Sequence, residues 1–98
     1  LGALVLVVGI NPPGENMLRF QPGIADRRDR FDRIEREVVS RFDDPSVQFV
    51  DVEPIFESLG QVGSSADGIH LTATGHELLA DALASRVARH LRAIGAGA

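Results

Sequence analysis

Ala3-Leu4-Val5-Leu6-Val7-Val8-Gly9 is an unbroken apolar run rich in valine. A run without polar alternation reads as a strand covered on both faces, the setting of a parallel sheet. Pro12 and Pro13 lie just beyond it, in Gly9 to Gly14, and cannot continue a ladder. A second strand is expected at Val47-Gln48-Phe49-Val50-Asp51-Val52. Between the two, residues 26–42 carry Phe31, Ile34, Val38 and Phe42 at helical spacing, one apolar stripe. From about Thr72 to residue 94 a long helix is expected, with Leu79, Leu83, Val87 and Leu91 on its inner face. Strand, helix, strand, helix calls for crossovers onto a parallel sheet, an α/β architecture.

Two strands alone cannot cover a run as apolar as residues 3–9. Further strands are therefore expected from upstream chain or from another subunit, unless the run stays half covered. Leu1 in place of Met suggests a chain that begins inside a larger protein, or a processed or excised piece.

The remaining segments read more simply. Residues 15–25 show no period and read as loop. Asp26 is a candidate N-cap or first-turn acid of the first helix. Asp29 with Arg33, Asp32 with Arg36, and Glu37 with Arg41 are acid-before-base pairs four apart, expected on a solvated face. Asp43-Asp44-Pro45-Ser46 ends that helix. Pro54 to Leu59 suggests a short helical turn, Gly60 to Ala66 a small-residue loop, and Gly95 to Ala98 a frayed tail.

Composition narrows the class. The chain has 98 residues, 44% hydrophobic and 24% charged, which suits one globular domain or part of one. A net charge of −4 argues against nucleic acid, since phosphate neutralisation needs a basic face. No Cys is present, which excludes disulfides, thiolate catalysis and Cys-ligated metals. Leu4 to Val8 is too short to span a bilayer and lacks the flanks of a signal peptide. Secreted and cytosolic locations fit equally.

The chemistry concentrates in Asp67-Gly68-Ile69-His70-Leu71-Thr72-Ala73-Thr74-Gly75-His76. A general base presents one ring nitrogen to the proton it takes and has the other fixed. A carboxylate on the far nitrogen selects the tautomer and stabilises the imidazolium. In a turn, a spacing of three brings Asp67 and His70 together, and Gly68 frees the backbone to make it. Thr72 or Thr74 then caps the last helix, Thr74 with Glu77 at capping-box spacing. Gly75 suggests close packing on a neighbouring backbone.

Asp67-Gly68-Ile69-His70-Leu71-Thr72, then Gly75-His76 and an amphipathic C-terminal helix, resembles the last conserved block of the SGNH (GDSL-type) hydrolases. Leu4 to Val8 followed by Pro12-Pro13 is similar to that family's fourth strand and its proline-bearing loop. Phe31 to Phe42 resembles the next helix, and Phe49-Val50-Asp51-Val52 the fifth strand. The resemblance covers residues 1–98 as the C-terminal half of one domain. It implies a flavodoxin-like three-layer α/β/α sandwich and ester hydrolysis by a serine nucleophile, usually without a cofactor. His70 is then the general base and acid, and Asp67 its orienting partner. The family's Gly-Asp-Ser nucleophile and its oxyanion hole lie upstream and are not in these residues. The chain alone is therefore expected to be inactive and to need the missing N-terminal half. The implied substrate is a small-molecule ester: acyl, lipid or acetylated carbohydrate.

Other candidates carry less. Ser64 and Ser65 are the nearest serines to the dyad and read as loop residues. Ser40 and Ser85 look structural. Asn11 resembles an oxyanion-hole asparagine with Pro12 where the family has Asp, and reads as a loop residue at the cleft rim. Asp51 reads as a cap on the turn at Glu53-Pro54. His90 is expected to meet the C-terminal helix dipole. Two rival functions remain: a scaffold or binding module without a nucleophile, and a metal-dependent hydrolase using Asp67, His70 and His76.

Overall fold

Val5–Val8 forms β1 and Val47–Val50 forms β2. They pair in parallel, Val5 opposite Val47 through Val8 opposite Val50. The computed structural model describes residues 3–97. Both strands are shorter than the apolar runs that carry them, although Gly9 N–H extends the ladder to Val50 O at 2.9 Å. A sheet of two strands leaves β1 open, and Val5 and Val8 are exposed as a result.

Among the described residues four helices accompany the pair: α1 (Glu15–Phe20), α2 (Ile24–Ser40), α3 (Glu53–Ser64) and α4 (Ala73–Gly97). Two of them correct the sequence reading. The segment expected to be loop contains α1, six residues that open at Gly14 with Glu15 in the first turn and Arg19 in the last. So short a helix shows no apolar period, and its signals are the preceding glycine and the end charges. The turn expected at Pro54–Leu59 continues through the small-residue segment to Ser64, broken only at Gly60, where φ is +74°. At the far end, residues 95–97 are helical rather than frayed, and Ala98 lies outside the described residues.

The face that α2 buries is a further correction. Phe31, Ile34, Val38 and Phe42 are all exposed, and Arg28 and Asp32 are the buried residues. The charged face looks inward because it reaches over the strand ends. Arg28 caps Ile10 O, and Arg36 bonds Asp32 at 2.9 Å, pairs with Asp51 at 3.2 Å and stacks over the Phe49 ring. Asp29 turns to Arg28 instead of Arg33. The apolar stripe points past the two strands, with nothing among the described residues to cover it.

The core sits elsewhere, between β2, α3 and α4. Val52, Ile55 and Phe56 form a buried cluster against which Leu59, Leu71, Leu78 and Leu79 pack, and Val50 at the end of β2 is buried as well. Burying side chains of this size stabilises by about 1.5–3 kcal/mol each. The 25 residues of α4 extend roughly 37 Å, far beyond two four-residue strands, so Val87 and Leu91 of its inner stripe are exposed, as is Ile94 beyond them. The described residues thus form a mixed α/β body with a parallel two-stranded sheet. No helix among them is long and apolar enough to cross a membrane.

Candidate catalytic dyad on the turn before α4

Residues 65–72 connect α3 to α4 and carry both predicted site residues. The turn is anchored at its ends. Thr72 N–H donates to Ser64 O at 2.7 Å, and Thr72 Oγ1 donates to Gly63 O at 2.7 Å. Thr72 Oγ1 also accepts from Gly75 N–H at 3.0 Å, so Thr72 is the N-cap of α4. The Thr74–Glu77 capping box is not formed, because the helix begins at Ala73, two residues too early for it. Gly75 packs as expected: a Cβ there would stand 3.0 Å from Ser64 O.

Within the turn, Asp67 uses both carboxyl oxygens. Oδ1 accepts from Ile69 N–H at 2.8 Å and His70 N–H at 2.7 Å. Oδ2 lies 2.7 Å from His70 Nδ1. The His70 ring, then the His70 and Ile69 amides, hold the Asp67 carboxyl well below the usual carboxylate range. A carboxylate only accepts, so Nδ1 carries the proton of that bond and Nε2 of the neutral ring is left as the basic nitrogen. The His70 side chain is 79% exposed, so the basic edge faces open space. The two residues expected to meet do meet, in the orientation that general-base chemistry needs.

A second segment braces this turn from below. Asn16 of α1 donates from Nδ2 to Asp67 O at 2.7 Å, and Asn11 Nδ2 donates to Ile69 O at 3.0 Å. Gly14 N–H donates to Gly68 O at 3.1 Å. Gly14 and Gly68 touch so closely that a Cβ on Gly14 would lie 2.7 Å from Gly68 Cα. Gly68 itself has φ +81°, a conformation glycine takes freely. Sequence reasoning missed Asn16, since its segment showed no period. The glycine before an acid-led turn was the available signal.

The other candidates fall into place around the dyad. Ser64 is fully buried, its Oγ bonded to Gly60 O at 2.6 Å. Ser65 is 2% exposed and its Oγ lies 3.4 Å from Asp67 Oδ1, so it faces the orienting acid and not the base. Both are packed structural hydroxyls, not residues of a loose loop. Asn11 lies against the dyad turn, with its amide donor committed to Ile69 O. Asp51 accepts from Glu53 N–H at 3.0 Å as expected, and adds the pair to Arg36 that the sequence did not reveal. No group of three or more metal-ligating side chains forms among the described residues, so Asp67, His70 and His76 do not converge as a metal-dependent site requires. His90 influences Asp44, whose carboxyl is lowered mainly by its bonds to Ser46.

Comparison with known protein families, curated proteins and solved structures returned no match.

Proposed function

We propose that this chain supplies the base and orienting acid of a serine ester hydrolase of SGNH type. The nucleophilic serine lies outside these 98 residues. The domain it completes is a three-layer α/β/α sandwich. The Asp67 Oδ2 to His70 Nδ1 bond at 2.7 Å, with the ring otherwise exposed, carries the reading. The parallel strand pair and the uncovered stripe on α2 agree with a sheet that continues beyond β1.

In the reaction, Nε2 of His70 takes the serine proton as the hydroxyl oxygen attacks the ester carbonyl carbon. The imidazolium then gives that proton to the leaving alkoxide, and an acyl-serine remains. Water attacks the acyl carbon with His70 again as base, which releases the carboxylic acid and restores the serine. Asp67 stays ionised throughout and balances the charge on the ring.

The test is turnover of aryl esters by the intact protein that contains these residues. His70→Ala is expected to lower kcat by about 10²–10⁴-fold. Equal turnover would remove the catalytic assignment. The 98-residue chain alone is expected to resist fluorophosphonate labelling, because Ser64 and Ser65 are buried. Stoichiometric labelling of either would place the nucleophile inside the chain after all.

One observation favours a second reading, a binding module of the same fold. Among the described residues no serine hydroxyl bonds His70 Nε2. An intact protein that binds esters but carries no serine reactive toward a fluorophosphonate would support it.

A further inference from the structure

A cleft of about 220 Å³ opens beside the dyad turn. Its walls are Ile10 and Pro13 after β1, Met17 of α1, Ile24 at the start of α2, and Ile69 of the turn itself. Ile69 directly precedes His70, so the cleft and the catalytic ring share one stretch of backbone. Arg28 also lines the cleft. Its guanidinium is committed to Ile10 O, at 2.9 Å from Nε and 2.6 Å from Nη2. Nη1 is paired with Asp29 at 3.1 Å and Glu53 at 2.8 Å. The positive charge is therefore neutralised, and the cleft offers no attraction to an anion. Asn11 lines the cleft too, with its Nδ2 donating to Ile69 O at 3.0 Å, and the other side chains of the lining are apolar.

We propose that this cleft holds the acyl chain of the ester whose carbonyl is presented to His70, and that it selects short chains. The assignment of the occupant rests on the hydrolase reading above. An apolar cavity of about 150 Å³ accepts a six-carbon ring. The present cleft is somewhat larger but open, and suits a linear acyl group of about four to six carbons. Each methylene that enters apolar surroundings gains about 0.8 kcal/mol, a factor of about four in affinity. A long lipid chain gains nothing further once the cleft is filled.

The chain carries its own reporters. Its single methionine is Met17, and of its six isoleucines Ile10, Ile24 and Ile69 line the cleft while Ile34, Ile55 and Ile94 do not. Methyl NMR of the purified chain, titrated with methyl acetate, butanoate, hexanoate and octanoate, reads the binding directly. Saturating shifts are expected at Met17, Ile10, Ile24 and Ile69, with Ile34 and Ile94 still. The dissociation constant is expected to fall about fourfold per methylene up to hexanoate and then level off. Ile24→Phe fills the cleft and is expected to abolish the shifts. Met17→Phe does the same from α1, should the first variant misfold.

Shifts spread over all six isoleucines, an absence of chain-length dependence, or binding unchanged in a folded Ile24→Phe or Met17→Phe protein would overturn the proposal. Failure of the hydrolase reading looks different. Selective binding by a protein whose intact form hydrolyses no ester leaves the cleft standing and removes the enzyme. Turnover indifferent to acyl length does the reverse.

Discussion

Asn16 holds the main-chain carbonyl of Asp67 at 2.7 Å, and its amide lies directly beneath Gly68. The carboxylate that orients His70 is thus seated on a side chain fifty-one positions earlier. A Cβ on Gly68 would strike Asn16 Oδ1, and φ of +81° adds strain for any L-residue. Gly68→Ala is expected to destabilise the chain by about 1–2 kcal/mol in urea unfolding. Asn16→Ala in the same chain removes the collision but not the strain. The double variant is therefore expected to be more stable than the sum of the two single changes implies. Strict additivity would show that the two residues do not touch.

The Asp67 bonds make the turn resistant to acid. A carboxyl whose folded pKa is depressed contributes stability that is present above the unfolded value, about 3.9, and lost as pH falls through the folded value. The Asp67 pKa is held well below that range by the His70 ring and the His70 and Ile69 amides. The side-chain carboxyl carbon of Asp67, followed by NMR, is expected to titrate below the chain's unbonded aspartates. In His70→Ala the midpoint moves up, because the largest contributor is gone. A wild-type midpoint near 4 would show that the bonds do not persist in solution.

Arg28 is buried with a fork on Ile10 O and carboxylates on its other nitrogen. Burial works against its charge, and its bonds to Asp29 and Glu53 more than offset that, so its pKa is raised. Arg28→Ala leaves a carbonyl and Glu53 without their donor and is expected to destabilise by about 2–4 kcal/mol. Arg28→Lys is expected to recover only part of this, since an ammonium lacks the planar fork. Thermal unfolding of both variants measures it, and a Lys variant equal to wild type would refute the fork.

The stripe on α2 gives the opposite expectation. Phe31, Ile34 and Val38 are exposed. Replacing each by Ser in the 98-residue chain is expected to change stability by no more than about 0.5 kcal/mol and to raise solubility. Losses of about 2–4 kcal/mol per site would mean that these residues form a core.

On the hydrolase reading proposed above, Asp67→Asn in the intact protein is expected to lower kcat less than His70→Ala does. An amide still bonds the ring but offers no charge to the imidazolium and permits the wrong tautomer. Comparison of the two kcat values decides it, and a larger loss from Asp67→Asn would refute the orienting role.

Sequence legibility followed the range of the interactions. The apolar runs at residues 3–9 and 47–52 contained both strands, since an uninterrupted β-branched run has few other uses. Asp67, His70 and the turn between them were legible because the whole device spans four residues. Thr72 was one of two caps considered, and only the observed start of α4 selected it. The role of Asn16 was not legible, because its partner lies fifty-one residues away.

The amino-acid order alone determined the parallel strand-and-helix plan and the local bond from Asp67 to His70. It determined these through period, turn chemistry and spacing, which act over a few residues. Tertiary structure decided which face of α2 turns inward. An amphipathic period names two faces but not the surface each will meet. Past the two strand ends, Arg28 meets the Ile10 carbonyl and Arg36 the Asp51 carboxylate, so the charged face went in. Tertiary structure also placed Asn11 and the start of α1, with Asn16, against the dyad turn, a contact between segments that no local pattern encodes.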